Sequence, residues 1–103
     1  MKFAIFGTGG VGGYFGGRLA QAGEDVTFIA RGGHLSAIQQ IGLSVDSIRG
    51  DFVAHPAKAT DSTESVGAVD VVILAIKGWQ LDEAILQMKP LIGDNTVIVP
   101  LLN

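Results

Sequence analysis

The sequence predicts an α/β domain built on a doubly wound, mainly parallel sheet. Apolar runs at residues 3–6 and 70–76 have the length and composition of strands that are buried on both faces, as the strands of parallel sheets are. The first run leads through a cluster of glycines into a helical pattern. With 103 residues, of which 48% are hydrophobic, the chain is long enough to form the core of one domain.

Glycines follow the first strand at the spacing G-x-G-x-x-G, and a helix is predicted next, at residues 11–21. The order strand, glycines, helix is that of a Rossmann-type dinucleotide-binding turn. Such glycines allow a tight turn and a close approach to a pyrophosphate, which the N–H groups at the helix N-terminus bind. A glycine-rich turn in another kind of α/β domain is the alternative. The predicted pyrophosphate site consists of Gly7, Thr8, Gly9, Gly10, Val11 and Gly12.

The predicted first helix contains three further glycines: Gly13, Gly16 and Gly17. Each of them costs about 0.5–1 kcal/mol of helix stability relative to alanine. We therefore expect the backbone of this helix to make a close contact there. We also expect Val11, Phe15 and Leu19, which are spaced by four residues, to cover the sheet.

Arg31 directly follows the second predicted strand, at residues 26–30. In an NAD site, a carboxylate near this position holds the ribose 2′-hydroxyl. A carboxylate would repel a 2′-phosphate, whereas a guanidinium pairs with it. The sequence therefore predicts NADP rather than NAD, with Arg31 at the 2′-phosphate. A solvated arginine at a strand end is the alternative.

The middle of the chain predicts a helix at residues 34–41 and then two short strands, at 43–47 and 48–54, around a turn. Alternating apolar residues indicate that these strands form an antiparallel pair or an excursion from the main sheet. Residues 60–65 are interpreted as a polar connection.

Lys77 follows the apolar strand at residues 70–76 and is expected to face a cofactor, because open α/β sheets bind ligands at the carboxyl ends of their strands. It is interpreted as a second cation for the 2′-phosphate or as a neighbour of the nicotinamide; a surface lysine is the alternative. Gln80 is expected to hydrogen-bond the adenosine end. A helix at Leu81–Met88 and a strand at 96–102 complete the predicted elements.

Composition excludes several classes of function. The net charge is −3 and the basic residues are scattered, so neither nucleic acid nor a membrane surface is an expected partner. The chain has no cysteine, which excludes thiolate chemistry and agrees with a cytoplasmic location. The two histidines, His34 and His55, have no partner at catalytic or metal-ligand spacing, so no metal site is predicted.

Taken together, the glycine turn, Arg31, Lys77 with Trp79-Gln80, and Asn103 after Pro100 resemble the ketopantoate reductase (2-dehydropantoate 2-reductase) family. The resemblance extends over all 103 residues and includes the short strands near residues 43–52. Members of this family reduce ketopantoate to pantoate with NADPH, in the pathway to pantothenate and coenzyme A. The resemblance thus implies an oxidoreductase with a Rossmann-type domain, whose partner is a small 2-oxo acid. Whether it forms a homo-oligomer stays open.

The resemblance also implies roles for single residues. The glycine turn would bind the pyrophosphate, Arg31 the 2′-phosphate, and Lys77 and Gln80 would lie along the cofactor. Asn103 would reach the nicotinamide side and the substrate. The family's general acid is a lysine in a helical C-terminal substrate domain, so residues 1–103 are expected to be an NADP-binding domain without that catalytic part, and inactive alone.

Two other functions stay open at this point. One is a different NADP-dependent 2-hydroxy acid dehydrogenase that has the same N-terminal half. The other is a non-catalytic Rossmann module that senses nucleotides.

Overall fold

The fold is a five-stranded parallel sheet with helices on both faces, as the sequence predicts. The computed structural model describes residues 1–7, 10–41, 43–45, 52–54, 58–75 and 81–101. The strands are β1 (Lys2–Phe6), β2 (Asp25–Ile29), β3 (Leu43–Val45), β4 (Phe52–Ala54), β5 (Lys58–Thr60), β6 (Val69–Leu74) and β7 (Ile92–Pro100). The helices are α1 (Gly10–Gln21), α2 (Gly32–Ile41), α3 (Thr63–Val66) and α4 (Leu81–Met88), and a 3-10 turn at Lys89–Leu91 follows α4.

The order of strands in the main sheet is β5-β2-β1-β6-β7, and all neighbouring strands are parallel. The chain builds the sheet outward from β1 in one direction through β2 and β5, and then in the other direction through β6 and β7. The direction of winding therefore reverses between β1 and β6. In doubly wound folds, the crevice outside the carboxyl ends of the strands at this reversal is where ligands bind.

Each face of the sheet carries its own hydrophobic core. On one face, Phe6 packs in a cluster with Ala84 and Met88 of α4. On the other face, Phe28 packs with Ile38 of α2 and with partly buried side chains of α1. Because the side chains of a strand alternate between faces, buried strands of this kind have to be apolar along their whole length. None of the helices within the described ranges is long and apolar enough to cross a membrane.

The part of α1 that approaches the sheet most closely is formed by glycine and not by Phe15 of the predicted stripe. A Cβ atom on Gly16 would lie 2.5 Å from Cε1 of Phe28 and 2.9 Å from Cγ1 of Ile5. Gly13 and Gly17 are also buried. The close contact expected for this helix is thus confirmed at Gly16, and it brings the α1 backbone down onto β1 and β2.

The prediction that Phe15 covers the sheet is wrong, because its side chain is 46% exposed. Leu19 is partly buried and packs against the core of that face, as expected. The glycines at positions 13, 16 and 17 have helical spacing of their own, and their closer approach to the sheet turns Phe15 outward. Nothing is described for the side chain of Val11.

Strands β3 and β4 form an antiparallel pair separate from the main sheet, which confirms the predicted excursion. The turn predicted between these two strands lies outside the described residues, and so does His55. The interpretation of residues 60–65 as a polar connection is wrong in part, because Thr60 ends β5 and α3 begins at Thr63. The sequence of β5, Lys-Ala-Thr, has no apolar pattern; it is a strand because it pairs with β2.

Strand β7 begins at Ile92, four residues before its predicted start, and its first part is irregular. Val69 of β6 pairs with Ile92, whereas Val71 pairs with Val97, so the residues between them bulge out of the ladder. Thr96 closes this bulge. Its Oγ1 accepts a hydrogen bond from Gly93 N–H (2.7 Å) and donates one to the carbonyl oxygen of Val69 (2.6 Å).

Replacing Thr96 with valine is expected to lower the free energy of unfolding by about 1–3 kcal/mol, because the N–H of Gly93 and the C=O of Val69 lose a part-buried partner. Urea unfolding followed by circular dichroism measures the loss. Thr96→Ser keeps the hydroxyl group and is the matched control. A valine variant as stable as the serine variant would show that the bulge does not depend on these bonds.

Candidate functional site

Backbone hydrogen bonds extend the ladder beyond the strand ends at the carboxyl edge of the main sheet. They join the residues that directly follow β2, β6 and β7 to the last residues of β5, β1 and β6, respectively, and so include both strands beside the reversal point. The bonds run from Ala30 N–H to Thr60 O (3.1 Å), from Ala75 N–H to Phe6 O (2.8 Å) and from Leu101 N–H to Leu74 O (2.9 Å). This edge therefore keeps a regular arrangement where the glycine turn and Arg31 leave the sheet.

Gly7 leaves β1 at this edge with a φ of 86°, in the left-handed region that L side chains rarely adopt. It is also buried. The backbone conformation thus favours glycine at this position, in agreement with its predicted part in a tight turn. Thr8 and Gly9, the next two residues of the predicted turn, lie outside the described residues.

The backbone of Gly10, Val11 and Gly12 forms the first turn of α1, where the predicted pyrophosphate would bind. This first turn carries no acidic side chain. The partial positive charge of the helix N-terminus is therefore not neutralised by the helix itself, and it favours an anion at this position. The fit of the first turn to a phosphate rests on this electrostatic feature and on the turn at Gly7; the phosphate-binding role of these residues stays a prediction.

Arg31 lies between the end of β2 and the start of α2, at the same edge as Gly7. Its Nη1 forms an ion pair with Oε1 of Glu83, in the first turn of α4. The side chains are 47% and 42% exposed, respectively, so solvent and other anions have access to the pair. The arginine is therefore half-exposed at the edge where a cofactor would bind, and it already has one carboxylate beside it.

Glu83 is the residue at this edge that sequence reasoning missed. From the sequence, its position in the first turn of α4 is explained by the helix dipole alone. The sequence nevertheless contained a signal for Glu83. Helix α4 follows β6, whose carboxyl end lies beside the glycine turn. The N-terminus of α4 therefore belongs to the same edge of the sheet as Arg31. Their separation of 52 positions hides the pair from any pattern of local spacing.

The other predicted site residues are not described. Lys77, Gln80 and Asn103 lie outside the described residues. Ala75 and Leu101, which precede Lys77 and Asn103 by two positions, are held at the carboxyl edge by the hydrogen bonds given above. The roles expected for Lys77, Gln80 and Asn103 stay predictions.

A cavity of about 310 Å³ lies at the opposite edge, near the amino ends of β1, β2 and β6. It is lined in part by Lys58 and Asp25, which form an ion pair, and by Thr27 and Ser65. Parallel α/β sheets bind their ligands at the carboxyl ends of the strands. The topology therefore favours the edge with Gly7 and Arg31 over this cavity as the candidate site.

Comparison with known proteins gives consistent matches over the whole chain. The model of the family described as ketopantoate reductase PanE/ApbA matches residues 3–103. The 2-dehydropantoate 2-reductase of Mesorhizobium japonicum is 43% identical over 104 residues, which cover 100% of this chain and 32% of that protein.

Solved structures show the same fold. The crystal structure of 2-dehydropantoate 2-reductase from Porphyromonas gingivalis W83 has a TM-score of 0.89 and 44% identity, and the match covers 100% of this chain and 38% of that one. A ternary structure of D-mandelate dehydrogenase with NADH and anilino(oxo)acetate has a TM-score of 0.85 and 31% identity, covering 100% of this chain and 34% of that one. The chain thus spans about a third of the length of the proteins it matches.

Proposed function

The chain belongs to the ketopantoate reductase family, and we propose that it forms the cofactor-binding part of an oxidoreductase that reduces ketopantoate to pantoate with NADPH. The observation that carries the choice of NADPH is the position of Arg31, a half-exposed guanidinium at the carboxyl end of β2. In Rossmann-type folds the 2′ position of the adenosine ribose lies near this strand end. A carboxylate there would favour NAD, and a guanidinium favours the 2′-phosphate of NADP.

We assign residues 1–103 to the NADP-binding domain. We assign the general acid and most of the substrate contacts to parts of the protein beyond these residues. Two observations support this division. The chain spans about a third of its relatives. In addition, Val97 and Ile98 of β7, the strand at one margin of the sheet, are 56% and 44% exposed. Apolar side chains exposed in a row favour coverage by another part of a protein.

Within this domain, the residues hold the cofactor and orient it. The turn that begins at Gly7 and the first turn of α1 hold the pyrophosphate, and Arg31 holds the 2′-phosphate. Lys77 and Gln80 lie along the cofactor, and Asn103 contacts the nicotinamide side and the substrate. When bound, NADPH supplies the hydride that converts the 2-oxo group to a secondary alcohol. The protein's contribution is position and electrostatics, in a cytoplasmic enzyme of pantothenate biosynthesis.

A second candidate is a dehydrogenase for another 2-hydroxy acid. The observation that favours it is the likeness to D-mandelate dehydrogenase, at 31% identity and a TM-score of 0.85. Both reactions interconvert a 2-oxo acid and a 2-hydroxy acid, so a cofactor domain of this fold serves either. We expect the two candidates to differ in substrate preference, which contacts outside residues 1–103 would set.

Substrate preference is measured on the protein as its gene encodes it, from the rate of NADPH oxidation with a panel of 2-oxo acids. We expect ketopantoate to have the highest kcat/KM in a panel that includes 2-oxoisovalerate and phenylglyoxylate. A higher kcat/KM for phenylglyoxylate would favour the second candidate. Tight NADPH binding without turnover of any 2-oxo acid would contradict both and favour a nucleotide-sensing module.

A further inference from the structure

The ion pair between Arg31 and Glu83 joins two well-anchored parts of the fold. Arg31 follows Ala30, which is 4% exposed and belongs to the core on the α1 side of the sheet. Glu83 precedes Ala84, which is fully buried in the core on the opposite side. Because both backbone positions are fixed by packing, the two side chains face each other as a consequence of the fold rather than of a flexible loop.

The pair changes the charge that Arg31 presents to an anion. The carboxylate of Glu83 occupies part of the guanidinium and cancels its single positive charge at short range. A ribose 2′-phosphate carries a charge of about −1.5 to −2 at neutral pH, as other phosphate monoesters do. It therefore meets a carboxylate of the same sign beside the very group that attracts it.

Whether the Glu83 carboxylate or the 2′-phosphate binds Arg31 depends on how exposed the ion pair is. An ion pair between half-exposed side chains contributes little to stability, because solvent screens it and both side chains lose freedom in forming it. A phosphate has more charge than a carboxylate and offers three oxygens to the donor fork of arginine. The phosphate is therefore able to displace Glu83, but the ion pair between Arg31 and Glu83 is lost when it binds.

On the premise of the proposed function, we propose that Glu83 is a specificity-determining residue, an internal anion that occupies Arg31 and that the 2′-phosphate must displace. Glu83 thereby lowers the affinity for NADPH and leaves the affinity for NADH unchanged, because NADH has no 2′-phosphate. Arg31 creates a preference for NADPH over NADH, and Glu83 makes this preference smaller. Glu83 acts through Arg31 and needs no contact with the reacting atoms.

The test is a titration of NADPH and NADH with the protein as its gene encodes it, comparing wild type with Glu83→Gln. We expect Glu83→Gln to bind NADPH roughly fivefold more tightly, a factor that corresponds to about 1 kcal/mol, with NADH affinity unchanged. Asp82→Asn is the matched control, since it removes the same charge from the same first turn of α4 at an exposed position. We expect the control to leave the NADPH-to-NADH preference as in wild type.

Other results would overturn the inference. Unchanged or weaker NADPH binding by Glu83→Gln would mean that Glu83 does not compete, or that it holds Arg31 in a productive position. An equal gain in Asp82→Asn would mean that only the net charge of α4 matters. These results are distinct from failure of the proposed function, in which Arg31→Ala itself would leave NADPH binding unchanged.

Discussion

Arg31→Ala is expected to weaken NADPH binding by about 10- to 100-fold, the loss that corresponds to removing a charged hydrogen-bond partner of a phosphate. NADH binding is expected to stay within about twofold of wild type, because NADH lacks the group that Arg31 would bind. The measurement is the dissociation constant of each cofactor, obtained by fluorescence or calorimetric titration. The preference for NADPH is thus expected to disappear in the variant.

A matched control for this substitution is Arg18→Ala. Arg18 is also a surface arginine, in the last turn of α1, where it lies over the ring of Tyr14 and donates to Gln21. Helix α1 begins at the carboxyl edge of the sheet and runs toward the amino edge. Arg18, in its last turn, therefore lies away from the candidate site. Equal effects of the two substitutions on NADPH would indicate a general effect of charge and contradict the role of Arg31.

The double variant Arg31→Ala/Glu83→Gln separates two contributions to the loss. In Arg31→Ala, the carboxylate of Glu83 stays at the site without its partner and repels the phosphate. We expect the double variant to recover part of the NADPH affinity lost by Arg31→Ala. The recovered part measures repulsion by Glu83, and the difference in NADPH affinity between Glu83→Gln and the double variant measures the attraction by Arg31.

Gly16→Ala is expected to lower the free energy of unfolding by about 1–2 kcal/mol. The added Cβ would overlap Cε1 of Phe28 and Cγ1 of Ile5, and both of these side chains are fully buried. Overpacking of this kind costs about 1–3 kcal/mol, which the higher helix propensity of alanine offsets only in part. Urea unfolding followed by circular dichroism measures the difference.

Gly33→Ala is the control for this prediction, because Gly33 is also a helical glycine. A Cβ on Gly33 would meet no atom within 4 Å. Alanine there is expected to raise the free energy of unfolding by at most about 0.5 kcal/mol, because only helix propensity changes and Gly33 lies in the first turn of α2, where propensity acts less than in a helix interior. The two substitutions are chemically identical, so effects of the same sign would mean that the packing of α1 on Phe28 does not govern stability at Gly16.

Most of the fold follows from local patterns in the sequence. The central strands are mostly apolar runs. Helix α4 has the predicted bounds, Leu81–Met88, because its apolar residues recur at helical spacing and Pro90 ends the pattern. Strand β5 and the early start of β7 do not follow from local patterns. They are strands because a neighbouring strand supplies hydrogen-bond partners, and such pairing has no signature within three or four residues.

The residues of the candidate site also differ in whether the sequence alone predicts them. The sequence by its own pattern identifies Gly7 and Arg31, since a glycine turn and a strand-ending arginine have chemical meaning at their positions along the chain. The pairing of Arg31 with Glu83 requires knowledge of which helix N-terminus lies beside which strand end. That information is a property of the strand order, and it depends on contacts between residues far apart in the chain.

The patterns of the sequence alone were therefore sufficient to predict the α/β fold class, most of its strands and helices and a glycine turn after β1, and the motifs together carried the resemblance to the family. The tertiary structure decided which face of α1 meets the sheet, where the edge strands begin and which carboxylate faces Arg31. The physical reason is the range of the interactions. Burial patterns and backbone preferences act within a few residues and are visible in the sequence, whereas the fit of Gly16 against Phe28 and the pairing of charges across 52 positions depend on the assembled fold.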